Sequence, residues 1–260
     1  MKALHIAATG MKAQETNVEV ISNNVANMRT TGYKRLRADF QDLLYQNMRR
    51  VGSQTSAAGT IAPTGVQVGS GVKTAATSRI MSQGTLEQTD KELDIAIRGE
   101  GFFQIELPDG TTAYTRDGSF ERDPNGNLVT IDGYTVQPGI NIPEDGTNLS
   151  ISADGTVQVA DDNGNQVTLG QMQLARFVNK SGLESIGDNL YLETDASGAA
   201  QTDDPGNNNF GDLQQGYVEA SNVEAVTEIS DLIAAQRAYE MNSKIIQAAD
   251  EMLSTTSNIR

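Results

Sequence analysis

The chain contains no cysteine, no tryptophan, one histidine and six prolines in 260 residues. Without cysteine there is no disulfide, no zinc–thiolate centre and no thiol nucleophile. Such a chain is indifferent to redox compartment and could work outside the cytoplasm without wrong cross-links. The lone histidine, His5, has no second imidazole with which to share a metal, and a Ser–His–Asp triad lacks plausible partners. It reads as an interface or surface residue. Bases are scarce too: 19 Lys and Arg stand against 34 Asp and Glu, a net charge of −15 that argues against nucleic acid as a partner. The bases cluster early, at Arg29, Lys34, Arg35, Arg37, Arg49 and Arg50, with no aromatic platform beside them. This pattern reads as solvated or inter-subunit charge. The start, Met1 to Ile6, offers no long apolar core and no clear cleavage site, so neither a signal peptide nor a membrane span is expected there. Hydrophobic residues make up only 37%, which implies much loop or surface that is buried on assembly.

What is present is a helical signature at each end. From Leu4 the apolar positions step by three and four through Ala7, Met11, Val18, Ile21, Val25 and Met28, interrupted at Gln14. Near the other end Ala238, Met241, Ile245, Ala248 and Met252 do the same, beside a second row of Tyr239, Ile246, Ala249 and Leu253. Such steps put the side chains on one face, as in a coiled-coil seam. Two adjacent rows make a band able to meet more than one neighbouring helix. Taken alone, an intramolecular hairpin explains such helices equally well. The residues just inside each helix are Gly, Ser, Thr and Gln, with no apolar face to complete a bundle, which favours assembly with other copies. Asn23 and Asn27, one turn apart, could fix register inside such a bundle.

The first helix should run from about residue 3 to 28, stopped by Thr30-Thr31-Gly32. The C-terminal helix should run from Ser221 to Ser254, with Ser221 and Glu224 as a capping box. After the first helix, Val51 to Gly71 is Gly, Ser, Thr, Ala and Pro with isolated valines, a composition that is flexible or extended if left alone. From Leu93 the pattern alternates, and turn dipeptides recur: Asp109-Gly110, Asp117-Gly118, Asn125-Gly126, Asp132-Gly133, Asp145-Gly146, Asp154-Gly155 and Asn163-Gly164. Each is expected at a hairpin tip between short strands. The fold class is therefore α+β: long N- and C-terminal helices forming a coiled-coil-like assembly domain, with an inserted all-β domain of short antiparallel strands. The expected division is 1–34 plus 215–260 for the helical domain, 35–93 for an extended linker, and 94–214 for the β domain.

No motif carries chemistry. Asp161, Asn163 and Asn165 imitate an EF-hand start, but Gln166 stands where Gly is required and no Glu closes the loop. The Asp-Gly carboxylates fit turns better than glycosidase acids. No Gly-rich loop ending in Lys-Ser or Lys-Thr opens a helix. The chain reads as non-catalytic, with no cofactor and no small-molecule substrate.

Several segments resemble bacterial flagellar rod and hook proteins: Ile21-Ser22-Asn23-Asn24-Val25-Ala26-Asn27 with Thr31-Gly32-Tyr33-Lys34, Ile97-Arg98-Gly99-Glu100-Gly101-Phe102-Phe103, and Tyr114-Thr115-Arg116-Asp117-Gly118-Ser119-Phe120. So do Gly126-Asn127-Leu128-Val129, Gln215-Gly216-Tyr217-Val218-Glu219-Ala220-Ser221-Asn222-Val223 and Ala235-Gln236-Arg237-Ala238-Tyr239-Glu240. Length and the stretch at 46–72 are most similar to the distal-rod members. The resemblance implies a helical homopolymer whose terminal helices form concentric tubes and whose β domain faces outward. In such a shaft the stretch from about Gln46 to Val72 is expected to be ordered, a stiffening segment with Val66, Val68 and Val72 tucked against neighbouring subunits. It implies export through the flagellar type III apparatus without a cleaved signal, a place in the basal body from periplasm to outer membrane, and torque transmission from motor to hook. The implied partners are proximal rod proteins, the hook protein or its adaptor, and the surrounding ring proteins. Hook or proximal rod subunits remain alternatives, as does, in a different class, an extracellular β-sheet binding module with oligomerising helical ends.

Overall fold

The computed structural model describes residues 2–52, 63–143, 147–160 and 166–258. The EF-hand-like Asp161, Asn163 and Asn165, and the Asp145-Gly146 and Asn163-Gly164 turns, lie outside the described residues. The chain divides into two compact units: 1–25, 36–78 and 224–260 form one, and 26–35 with 79–223 form the other.

The first unit holds both long helices, α1 (Lys2–Ala26) and α2 (Ala225–Asn258). It also holds a ribbon of paired strands. β1 (Leu36–Asp42) pairs with β4 (Val72–Arg79), and β2 (Tyr45–Arg49) pairs antiparallel with β3 (Val66–Gly69). Leu43 N–H donates to Gly71 O at 2.8 Å between the two pairs, so the arms run side by side as one antiparallel ribbon. The composition predicts an extended stretch here; the ribbon exists because each arm satisfies the other's backbone groups within the chain.

α2 begins later than expected, and the Ser221–Glu224 capping box does not form. Ser221 Oγ instead accepts from Val223 N–H at 3.3 Å, and the Glu224 carbonyl accepts the first helical bond, from Glu228 N–H at 3.0 Å. The Glu224 carboxylate accepts from Thr227 Oγ1 at 2.9 Å.

The second unit is built of short antiparallel strands. β5 (Leu86–Gln88) pairs with Tyr217–Glu219, and β6 (Ile95–Arg98) pairs with Asp212–Gln215. β7 (Phe102–Glu106) lies inside the largest sheet, flanked by β8 (Thr112–Thr115), Thr135–Val136 and Leu174–Arg176. Alternation along β7 feeds two cores. Phe103 and Ile105 enter one with Ile95, Ile97, Phe120, Leu128 and Met172; Phe102 enters the other with Tyr114, Phe177 and Tyr191. Edge-to-face ring pairs lock both, with Phe103 5.0 Å from Phe120 and Tyr114 4.7 Å from Phe177.

Most of the turn dipeptides sit where the pattern puts them. In the Asn125-Gly126 turn, Asp123 Oδ1 accepts from the amides of Asn125 and Asn127 at 2.8 and 2.7 Å, and Gly126 takes φ +91°. Asp117-Gly118 is the exception. Gly118 is not a hairpin tip: a Cβ there would lie 1.7 Å from Ile95 O, so glycine is required by close packing against β6.

Candidate functional site: the helix pair and a buried charge cluster

In the helical unit, α1 and α2 run antiparallel. Asn24 Nδ2 donates to Glu228 Oε2 at 3.1 Å, and Gly10 faces Asn242 so closely that a Cβ would lie 3.0 Å from its Nδ2. These contacts define a heptad face on each helix: Gly10, Asn17 and Asn24 on α1, and Glu228, Ala235, Asn242 and Ala249 on α2. Ala235 and Ala249 are buried on it. The apolar seam expected on α1 is thus turned aside from α2. Ala7 and Ile21 are buried, Leu4, Met11, Val18 and Val25 are half-buried, and Met28 is exposed beyond the helix end. Small and amide side chains pair the helices because they allow close approach and mutual hydrogen bonding, which an apolar count does not detect.

The two apolar rows of α2 separate onto different sides. Tyr239, Ile246, Ala249 and Leu253 share the side that carries Asn242, towards α1. Met241, Ile245 and Met252 turn away from it, while half-buried Ala238, three residues after Ala235, stays on the α1 side. Met241, Ile245 and Met252 are 59, 49 and 64% exposed, and Val226, Ile229 and Ile233 extend the open band towards the helix start. The intramolecular hairpin therefore accounts for one side of α2, and the other side stays open.

Asn23 and Asn27, expected to fix register, are exposed and half-buried; Asn27 Oδ1 accepts from Thr30 Oγ1 at 3.2 Å. The buried amide is Asn24, 1% exposed. It donates to Leu36 O at 2.8 Å and accepts from Leu36 N–H at 2.8 Å, so it pairs like a strand neighbour while also holding Glu228. Glu228 is fully buried in the first turn of α2, where the helix dipole favours a carboxylate.

On the ribbon, Val66 is exposed. Val68 lines a cavity of about 360 Å³ with Lys2, His5 and Ile6 of α1, and Val72 N–H donates to Thr9 Oγ1 at 3.4 Å. His5 itself is exposed.

In the β unit, four of the motif segments meet at one buried cluster. Glu219 accepts Lys34 Nζ on Oε1 and Arg116 Nη1 at 3.0 Å on Oε2, with all three side chains at most 5% exposed. Gly84 N–H also donates to Glu219 Oε1, at 2.8 Å. Arg116 Nη2 donates to Gly99 O at 2.6 Å, and its guanidinium lies 5.5 Å from the centre of the Phe102 ring. Gly32 N–H donates to Glu219 O at 2.7 Å, at φ +69°, with the Asp117 amide 2.6 Å from where a Cβ would stand. Burial holds the Lys34 ammonium below its usual pKa, opposed by Glu219. Asn222 ties neighbouring chain segments together, accepting from Arg35 N–H at 2.7 Å and donating to Ile80 O at 2.8 Å. Lys34 is therefore not the solvated or inter-subunit charge that clustering suggests. Two cations share one carboxylate here, an arrangement suited to locking segments remote in sequence and not to chemistry.

Asn24, Glu228, Lys34, Arg116, Glu219 and Asn222 were not singled out by periodicity, since each is polar. All but Glu228 stand inside the quoted motifs, and that was the available signal.

Three stretches match known families: residues 4–34 the flagella basal body rod protein family, residues 96–159 the flagellar hook protein FlgE/F/G D1 domain, and residues 214–259 the flagellar basal body rod FlgEFG protein C-terminal family. The chain is 60% identical to flagellar basal-body rod protein FlgG of Caulobacter vibrioides, covering 100% of both chains. It is 53% identical to the FlgG of Agrobacterium fabrum, over 99% of this chain and 98% of that one. Against the Borreliella burgdorferi FlgG it is 48% identical, over 100% of this chain and 99% of that one. This chain belongs to the flagellar basal-body rod and hook protein family.

Proposed function

We propose that this chain is the structural subunit of the flagellar distal rod, polymerising helically into the rigid shaft that carries torque from motor to hook. It is a structural protein and not an enzyme, it belongs in the flagellar basal body, and it assembles there with other flagellar proteins. The end-to-end correspondence with rod proteins named FlgG supports the rod over the hook. The structural observation that carries self-assembly is the open band on α2. Six large apolar side chains, Val226, Ile229, Ile233, Met241, Ile245 and Met252, project away from α1 and are each at least 46% exposed. Burying one such side chain fully is worth about 1.5–3 kcal/mol, so a second helix laid along the band gains a large driving force. Side chains facing α1 on one side and open on the other give each subunit different patches, as an open helical assembly requires.

The finer placement follows from this reading. The rod spans periplasm to outer membrane, meeting proximal rod proteins at one end and the hook protein or an adaptor at the other. Ring proteins surround it, and subunits leave through the type III export apparatus. The ribbon, with Val66, Val68 and Val72, stiffens the joint between subunits. Filaments assembled from purified chain test the reading by their persistence length in electron micrographs. Straight, stiff tubes are expected; curved, bendable tubes would point to a hook subunit, and a soluble chain that never polymerises would remove the structural reading.

A further inference from the structure

Charge is segregated along this chain. Between Asp42 and Glu87 there are four bases, Arg49, Arg50, Lys73 and Arg79, and no acid, in a protein of net charge −15. The far part of the ribbon also carries open apolar side chains: Leu44, Tyr45, Met48, Val51 and Val66 are 89, 55, 70, 62 and 47% exposed. Every residue of β2 is exposed, on both faces. Near Val68 the ribbon lies against the start of α1, but its far part has two strands only and gains from a partner. Arg49 Nη2 donates to Thr64 O at 3.1 Å, which lays its stem along the ribbon.

The β unit has a surface of the opposite kind. A cleft of about 380 Å³ is lined by Asp117, Asp132 and Asp188 against the single cation Arg29, with Ile131 and Leu190 as apolar wall. Ile131 is 72% exposed. Asp117 is half-buried, accepting from Ser119 N–H at 3.0 Å and Asn189 Nδ2 at 3.4 Å. Burial nevertheless raises its pKa, so the carboxylate is short of compensation.

We propose that this cleft of one copy receives the basic, apolar end of the ribbon of a second copy, Arg49 or Arg50 facing the three aspartates and Met48 or Val51 covering Ile131. The planar guanidinium suits carboxylates spread across a cleft, and opposed charges fix which surfaces meet. The two patches differ and lie on different units, so the contact is heterologous, as an open helical assembly requires. The inference rests on the rod reading and names one contact within it.

Because the chain lacks cysteine, single thiols can be placed cleanly. Met48→Cys chains and tagged Ile131→Cys chains are mixed, polymerised and treated with a short bis-maleimide. Mixed covalent dimers should dominate over dimers of either variant. Arg49→Glu/Arg50→Glu should cut their yield by about tenfold, and Asp132→Arg/Asp188→Arg in the other chain should restore it. Val51→Cys replaces Met48→Cys if the latter blocks polymerisation. Polymers without mixed dimers, charge reversals without effect, or reversals that the compensating pair does not rescue overturn the inference while leaving the rod reading intact. An intrachain link as the sole product in the dilute Met48→Cys/Ile131→Cys chain also overturns it. Failure of the unmodified chain to polymerise removes the rod reading and this contact together.

Discussion

Arg116 and Glu219, 103 residues apart in sequence, meet as a buried ion pair at 3.0 Å, with Lys34 on the carboxylate's other oxygen. Glu219→Gln leaves two buried cations without a counter-charge and should destabilise the β unit by about 3–5 kcal/mol. Adding Lys34→Met should recover part of that loss, because one uncompensated charge is removed. Thermal melting of the full chain followed by tyrosine circular dichroism reads both. A double variant as unstable as the sum of its parts would show that Lys34 does not share the site.

Gly32 and Gly52 both have positive φ, +69° and +80°, but only Gly32 has backbone atoms of Arg116 and Asp117 within 3.0 Å of a Cβ position. Gly52→Ala should cost about 1 kcal/mol of backbone strain. Gly32→Ala should cost several times more, since backbone must shift at the charge cluster as well. Urea midpoints of the two variants make the comparison.

The Asn23-Asn24 pair gives a sharp contrast on α1. Asn24→Ala removes the reciprocal bonds to Leu36 and the bond to Glu228, and should cost about 2–3 kcal/mol, leaving a buried carboxylate short of a donor. Asn23→Ala, at an exposed position, should cost less. The concentration needed for polymerisation should rise more for Asn24→Ala than for Asn23→Ala.

Asp117 gives the β unit a definite pH response. Burial raises its folded-state pKa, helped by Asp94 and opposed by Ser119 and Asn189. As pH rises, the unfolded chain loses this proton first. Between the two values the folded state binds more protons, and stability falls with rising pH. Asp117→Asn should therefore gain on the native chain as pH rises from about 4, the ordinary aspartate value, towards the raised folded-state value. Denaturation midpoints across that range check the sign; a gap that shrinks with pH would contradict it.

The helices and the β unit were legible because apolar periodicity and Asp-Gly or Asn-Gly turns are local signals. The faces of the helices were not. Gly10, Asn24 and Asn242 pair α1 with α2, and a polar, small-residue face looks like a solvated one until its partner is known. Asp117-Gly118 read as a hairpin tip, but Gly118 is demanded by the Ile95 carbonyl, a contact between distant residues that leaves no trace in a dipeptide. Lys34 read as surface charge because its counter-charge, Glu219, comes 185 residues later. The ribbon read as a linker because its strands pair across sequence with no hydrophobic alternation to announce it.

The central claim is that the open side of α2 is a subunit interface. Helical reconstruction of filaments assembled from this chain tests it most directly. Met241, Ile245 and Met252, now 59, 49 and 64% exposed, should be buried against helices of neighbouring copies. A filament in which these three side chains remain exposed to solvent would contradict the account.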